Sequence, residues 1–276
     1  MLFSSIYSIF IDTNNTAYIS DVGKGTIQVW AEGMNQSIRT ISISSGYPYT
    51  IFVTPNGDTY ASDRHQGQVR RWLPNATESV SAMLIQKDCW GLFVDIINTV
   101  YCSVGDSHYV VSMPLGDTRN TLTVVAGKSC NGSAADTLHY PSGICVSLNF
   151  ELYVADTVNN RVQLFHPGRA NATTVAGAGA SGTIDLNYPE HIILDYDGYV
   201  FIADAGNNRI VGSGPNGFRC VAGCSGTSGT AANQFKHPQT MAFDSFGNIW
   251  AVDQLNGRVQ KFVLDTHSCG KHLQLF

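Results

Sequence analysis

Three carboxylate–guanidinium pairs at one spacing are the residues best suited by type to do chemistry in this chain: Asp156 with Arg161, Asp204 with Arg209, and Asp253 with Arg258. A carboxylate five residues ahead of an arginine can hold it in a charge-assisted hydrogen bond and accept backbone N–H groups of the following turn. The Asn two residues before each Arg (Asn159, Asn207, Asn256) suits positive φ and local Asx-type bonds. Recurrence in successive segments fits a structural staple better than a unique active site. The histidines form no comparable set: His65, His108, His139, His166, His237, His267 and His272 are scattered over loops and read as surface or structural groups. None of the seven cysteines forms a paired C-x-x-C set, so no metal cluster is expected.

The pairs belong to a longer phrase. Tyr-Val-Ala-Asp-Thr-Val-Asn-Asn-Arg-Val at 153–162 recurs at 201–210 and 250–259, with worn copies at 18–27, 60–69 and 101–110. Such a period is the mark of a repeat architecture. In the worn copies the anchor is Asp21, Asp63 or Val104, and the Arg position holds Thr26, Gln68 or Tyr109, so the staple is expected to be lost there. Each unit reads as a short apolar strand such as Ile51-Phe52-Val53, then a turn such as Asn56-Gly57, Asp197-Gly198 or Gly247-Asn248. A second strand ends on the anchor. A third such as Val162-Gln163-Leu164-Phe165 and an outer one such as Thr173-Thr174-Val175-Ala176 complete the unit. Four short antiparallel strands make a propeller blade, and six units make an all-β, six-bladed β-propeller. The expected blades cover residues 6–45, 46–87, 88–127, 140–177, 188–223 and 237–276 of a single domain, 1–276.

The unit Tyr-Val-Ala-Asp-x-x-Asn-x-Arg-Val resembles the NHL repeat, crisply in blades four to six and weakly in blades one to three. The resemblance implies the fold more than the function, because such propellers include ubiquitin-ligase substrate modules, RNA binders, extracellular modules and a lyase. In the peptidyl-hydroxyglycine amidating lyases, metal-binding histidines follow the Pro that opens several first strands. Here those positions hold Tyr49, Ser142, Glu190 and Gln239, and His191 comes one residue late. Lactonase-type propellers hold calcium with several acidic and Asn side chains at the axis, and only Glu190 is an acidic candidate there. A metal-dependent propeller enzyme is therefore the alternative reading; no catalytic residue, metal or other cofactor is expected.

RNA-binding NHL domains carry a strongly basic face, whereas this chain has 16 Lys and Arg against 21 Asp and Glu. Arg64, Arg70, Arg71 and Lys87 form a modest basic spot that reads as solvated surface, so nucleic acid is not expected as a partner. The main reading is a non-catalytic binding propeller, a monomer, that recognises a protein or other extracellular ligand. It would do so through the long loops entering blades four to six, residues 128–140, 178–188 and 224–237. Candidate contacts are Asn131, Asp136, His139, Asp185, Asn187, Glu190, Asn233 and Lys236; loops that merely span the gap between blades are the plain alternative. Trp30, Trp72, Trp90 and Trp250 lie in or beside strands and read as core between blades.

Five sequons (Asn14, Asn35, Asn75, Asn131, Asn171) fall in expected turns, three of them between the third and fourth strands at the outer rim. They point to a glycosylated extracellular or cell-surface chain; the composition of ordinary turns is the other explanation, with a cytoplasmic location the alternative. The expected disulfides are Cys220–Cys224 and Cys89–Cys130, with Cys102 and Cys145 as buried thiols and Cys269 left over. The first residues align with a blade strand and not with a signal peptide, so an extracellular chain would be a piece of a longer product. No run approaches the length of a membrane-spanning helix, so no direct insertion is expected. The seam between blades six and one is expected to be the weakest.

Overall fold

Apolar runs of four to six residues, each closed by Gly, Asn or Asp, can satisfy their backbone groups only by pairing with neighbours in a sheet. The computed structural model describes residues 3–43, 46–265 and 272–275 and shows six such sheets. Blade one holds β1 (Ile6–Ile11), β2 (Ala17–Asp21), β3 (Thr26–Trp30) and β4 (Arg39–Ser42). Blade two holds β5 (Pro48–Val53), β6 (Thr59–Asp63), β7 (Gln68–Trp72) and β8 (Val80–Leu84). Blade three holds β9 (Gly91–Val94), β10 (Thr99–Val104), β11 (Tyr109–Pro114) and β12 (Thr123–Gly127). Blade four holds β13 (Pro141–Val146), β14 (Leu152–Asp156), β15 (Arg161–Phe165) and β16 (Thr173–Gly177). Blade five holds β17 (Pro189–Leu194), β18 (Val200–Asp204), β19 (Arg209–Gly212) and β20 (Arg219–Ala222). Blade six holds β21 (Pro238–Phe243), β22 (Ile249–Asp253), β23 (Arg258–Asp265) and β24 (His272–Leu275). All pairings between these strands are antiparallel and sequential, so this is a six-bladed propeller in which, among the described residues, no blade borrows a strand from the other end of the chain.

The core lies between blades. Val69 and Met83 of blade two pack with Leu92 and Val100 of blade three, and Ala203 and Ile210 of blade five with Met241 and Ile249 of blade six. At the seam, Ile9 and Ile19 of blade one pack with Val252 of blade six. The Ile9 N–H donates to Thr240 Oγ1 at 3.1 Å, and that hydroxyl donates to the Tyr7 carbonyl at 3.1 Å. Among the described residues the seam is thus bonded and packed, where a weak junction was expected.

The anchor carboxylates sit at the end of the second strand, but their main N–H partners are not those of the following turn. Asp156, Asp204 and Asp253 accept the backbone N–H of His139, Asn187 and Lys236 in the loop that enters their own blade, at 2.6–2.7 Å. The other oxygen takes Nε of Arg161, Arg209 or Arg258 at 2.7 Å and the amide of Asn159, Asn207 or Asn256 at 2.8–2.9 Å. Those Asn residues therefore serve as donors. Positive φ falls one residue later, on Asn160, Asn208 and Gly257.

The arginine staple is kept in blade two, whereas in blade one it is lost and other groups stand in for it. In blade two Arg70, on the third strand two residues past the expected place, reaches Asp63 at 3.1 Å; in blade one Ser4, Ser5 and Lys24 serve Asp21. Adjacent third-strand positions of one parity face the same side, so a side chain two residues along can substitute.

Cys220 is bridged to Cys224, but Cys89 is bridged to Cys102 and not to Cys130. Cys89 precedes β9, which pairs with β10 with Leu92 opposite Cys102, so the two cysteines meet across one hairpin. Cys130 is an exposed thiol in the loop entering blade four, and Cys145 is a buried thiol whose pKa burial pushes up to about 12. Cys269 lies outside the described residues. Under native conditions at pH 8, iodoacetamide is expected to alkylate Cys130 and leave Cys145 unmodified, as read by peptide mass mapping. Equal labelling of both would contradict this burial.

Candidate functional site

The inner strands run from an entry face, where the inter-blade loops arrive, to an exit face formed by the turns to the second strands. At the entry face Pro48, Pro141, Pro189 and Pro238 open their strands. The residues just before three of these prolines, Tyr140, Tyr188 and His237, have positive φ of 58°, 52° and 61°. Their N–H groups donate to the blade behind: Tyr140 to His108 Nδ1 (3.2 Å), Tyr188 to Asn160 Oδ1 (2.8 Å) and His237 to Asn208 Oδ1 (3.0 Å). His108, Asn160 and Asn208 are themselves the left-handed residues that end a one-turn 3-10 helix. At Asn160 and Asn208 the second Asn of the repeated phrase thus latches neighbouring blades together and fixes where β17 and β21 begin.

The residues at these strand starts meet around the channel in two arcs. An aromatic arc spans blades one to four: Tyr7 lies against Tyr49 (ring centroids 4.4 Å apart), Tyr49 against Trp90 (4.8 Å) and Trp90 against Tyr140 (5.0 Å). A polar arc spans blades four to six: Glu190 Oε2 accepts from Ser142 Oγ at 2.7 Å and from Gln239 Nε2 at 3.3 Å. Burial raises the Glu190 carboxyl to about 7, although both hydrogen bonds favour its charged form. On the aromatic side the Arg64 guanidinium stacks 4.7 Å from the Tyr49 ring centre and 4.2 Å from that of Trp90, held by Asp88 at 2.6 and 2.9 Å. Glu190 and Arg64 both act on the Tyr49 and Tyr140 hydroxyls, so opposite charges face one ring of aromatics. Burial is the main reason the Tyr140 hydroxyl is pushed up to about 12.

Below this mouth the channel widens into a cavity of about 640 Å³ that opens at the exit face. Its walls carry Ile51, Phe52, Leu92, Phe93, Ile144 and Met241, among others, from the inner strands. His191 also lines it; burial lowers its pKa to about 4, and its Nδ1 has no hydrogen-bond partner.

Of the residues proposed from the sequence, Glu190 alone stands in the axial mouth. Asp136 pairs with Lys128 on the surface, Asn131 bridges to Leu138 along the loop, and Asn233 is exposed on the loop entering blade six. His139, Asn187 and Lys236 give their backbone N–H groups to the anchor aspartates, and the Asp185 carbonyl accepts from Arg209 at 2.7 Å. The entry loops are fastened by the staples, and the loop entering blade four reaches the mouth through Tyr140.

Sequence reasoning missed Trp90, which belongs to the mouth and not to the core between blades. It also missed Arg64. Arg64, Arg70 and Arg71 are paired with Asp88, Asp63 and Asp58, which accounts for the apparent basic spot. The residues after each opening Pro were the available signal for the mouth. Among the described residues, no three His, Cys, Asp or Glu side chains are grouped to hold a metal ion, and no helix is long and apolar enough to cross a membrane. All five sequon asparagines are exposed. Asn35, Asn75 and Asn171 lie in outer turns on the exit side, whereas Asn14 lies in the inner β1–β2 turn, off the rim.

No family model and no curated protein sequence matches this chain. Solved structures share its fold. An auxiliary nutrient binding protein from Bacteroides ovatus superposes with a TM-score of 0.72 at 17% identity, over 94% of this chain and 69% of that one. A streptogramin B lyase gives 0.67 at 10% identity, over 100% and 95%. A gluconolactonase-like protein gives 0.67 at 10% identity, over 98% and 90%. At these identities the likeness shows the six-bladed propeller and not the NHL family in particular.

Proposed function

We propose that this chain is a non-catalytic, extracellular binding propeller that holds a small polar ligand at the entry mouth of its channel. The observation that carries the reading is the convergence of Glu190, Ser142 and Gln239 opposite the Tyr7–Tyr49–Trp90–Tyr140 arc. Aromatic faces take an apolar ring or chain, and the Glu190 carboxylate takes hydrogen-bond donors from a hydroxyl or an ammonium group. The nutrient-binding neighbour is in keeping with this, and two disulfides are in keeping with an oxidising compartment. The test is isothermal titration at pH 8 with a panel of saccharides, amino acids and small amines. A binder is expected whose affinity falls about tenfold or more in Glu190→Gln and Tyr7→Ala, the loss of a charged hydrogen bond or a ring face. A panel without binders, or binding indifferent to both variants, would sink the reading.

One observation favours a second, catalytic reading: a carboxyl raised to about 7 is poised for proton transfer near neutral pH. In that case Glu190→Gln would abolish turnover of a bound ligand while leaving it bound. The extracellular assignment has its own check. The chain secreted from eukaryotic cells is expected to lose mass on treatment with an N-glycan-removing enzyme; an unchanged mass would count against it.

A further inference from the structure

The far end of the channel has a different chemistry from the entry mouth. We propose that the exit cavity is a second binding site, for an apolar molecule carrying one positively charged group. The apolar body would lie along the inner strands and the cation at the lip formed by blades four and five. The cavity's volume of about 640 Å³ is that of a small-molecule site, and Ile51, Leu92, Ile144 and the Phe52 and Phe93 rings line it.

Charge selects the ligand class. Among the described residues the lining includes the carboxylates of Glu151, Asp195 and Asp197 and no lysine or arginine. Asp195 spends Oδ1 on the N–H groups of Asp197 and Tyr199, and Glu151 bonds His166 at 3.1 Å, while Asp197 is exposed on the turn. The one histidine in the described wall, His191, stays neutral and opposes no cation. An anionic molecule of the same shape would meet three carboxylates and, among the described lining residues, no lysine or arginine. The lip is apolar as well: Leu148 is 73% exposed and Tyr196 fully so, side chains that water covers poorly and that a ligand's body would cover. This site stands independently of the entry mouth, since none of the Glu190 network or the aromatic arc lines the cavity.

The test uses two probes with one fluorophore and opposite charge, dansylcadaverine and dansylglycine, added to the whole chain at low salt. Dansylcadaverine is expected to bind saturably at one site, about tenfold more tightly than dansylglycine. Ala242→Phe, which fills the cavity from β21, is expected to weaken dansylcadaverine about tenfold. Asp197→Lys, on an exposed turn where folding is not at stake, is expected to narrow or reverse the preference between the probes. Equal binding of the two probes overturns the proposal. So does dansylcadaverine binding that both variants leave unchanged.

Discussion

Arg161→Ala is expected to destabilise the propeller by about 3–5 kcal/mol, the cost of leaving a buried carboxylate without its partner. The Asp156 side chain is wholly buried and that of Arg161 is 8% exposed. Besides Asp156, the guanidinium bonds the carbonyls of Ser133, Ala134 and Thr137 at 2.8–3.2 Å. Alanine would strand the carboxylate and release the loop that enters blade four. Arg258 makes the matching bonds to Thr230, Ala231 and Gln234, but its side chain is 31% exposed, so water can replace part of what is lost. Arg258→Ala is expected to cost about 1–3 kcal/mol, the range for breaking charged hydrogen bonds that solvent can reach. Urea unfolding of both variants measures the difference. Equal losses, or a larger loss at Arg258, would show that burial does not set the strength of these staples. Arg161→Lys should recover only part of the loss, because an ammonium cannot spread over four acceptors as a planar fork does.

Glu190→Gln is expected to gain stability relative to the unmodified protein as pH rises, by about 3 kcal/mol between pH 4.5 and pH 8.5. The carboxyl is raised from 4.5 to about 7 in the folded chain. A group raised on folding contributes stability that is fully present below its unfolded value and is lost as pH rises through its folded value. The unmodified protein therefore loses this contribution between about pH 4.5 and pH 7, whereas the neutral amide of the variant has nothing to ionise. Unfolding midpoints of both proteins across this range provide the measurement. A difference that stays flat with pH would mean that Glu190 ionises at its ordinary value, and the catalytic reading would lose its support.

The fold was legible because its determinants are local. Short β-branched runs, turn glycines and the spacing of Asp156 to Arg161 all lie within one blade, so one copy of the repeated phrase reports on its own hairpin. Cys220–Cys224 was readable for the same reason, its partners lying only four positions apart in the chain. The errors arose where a partner lay one step outside the expected pattern. Arg70 replaces the missing arginine at Asp63 from two residues along the strand. Cys89 finds Cys102 across a hairpin, not Cys130 in the next loop. The donors to the anchor aspartates come from 17 residues upstream.

The mouth was less legible. Glu190 meets Ser142 from 48 residues before it and Gln239 from 49 after it, and Trp90 meets Tyr49 and Tyr140 from the blades on either side. By itself the sequence determined the number of blades, the strands of each and the Asp–Arg staple within three of them, because each depends on residues close in the chain. Only the tertiary structure decided which side chains face one another across the channel. Closing six blades into a ring brings together positions a full repeat apart, and no local pattern encodes that distance.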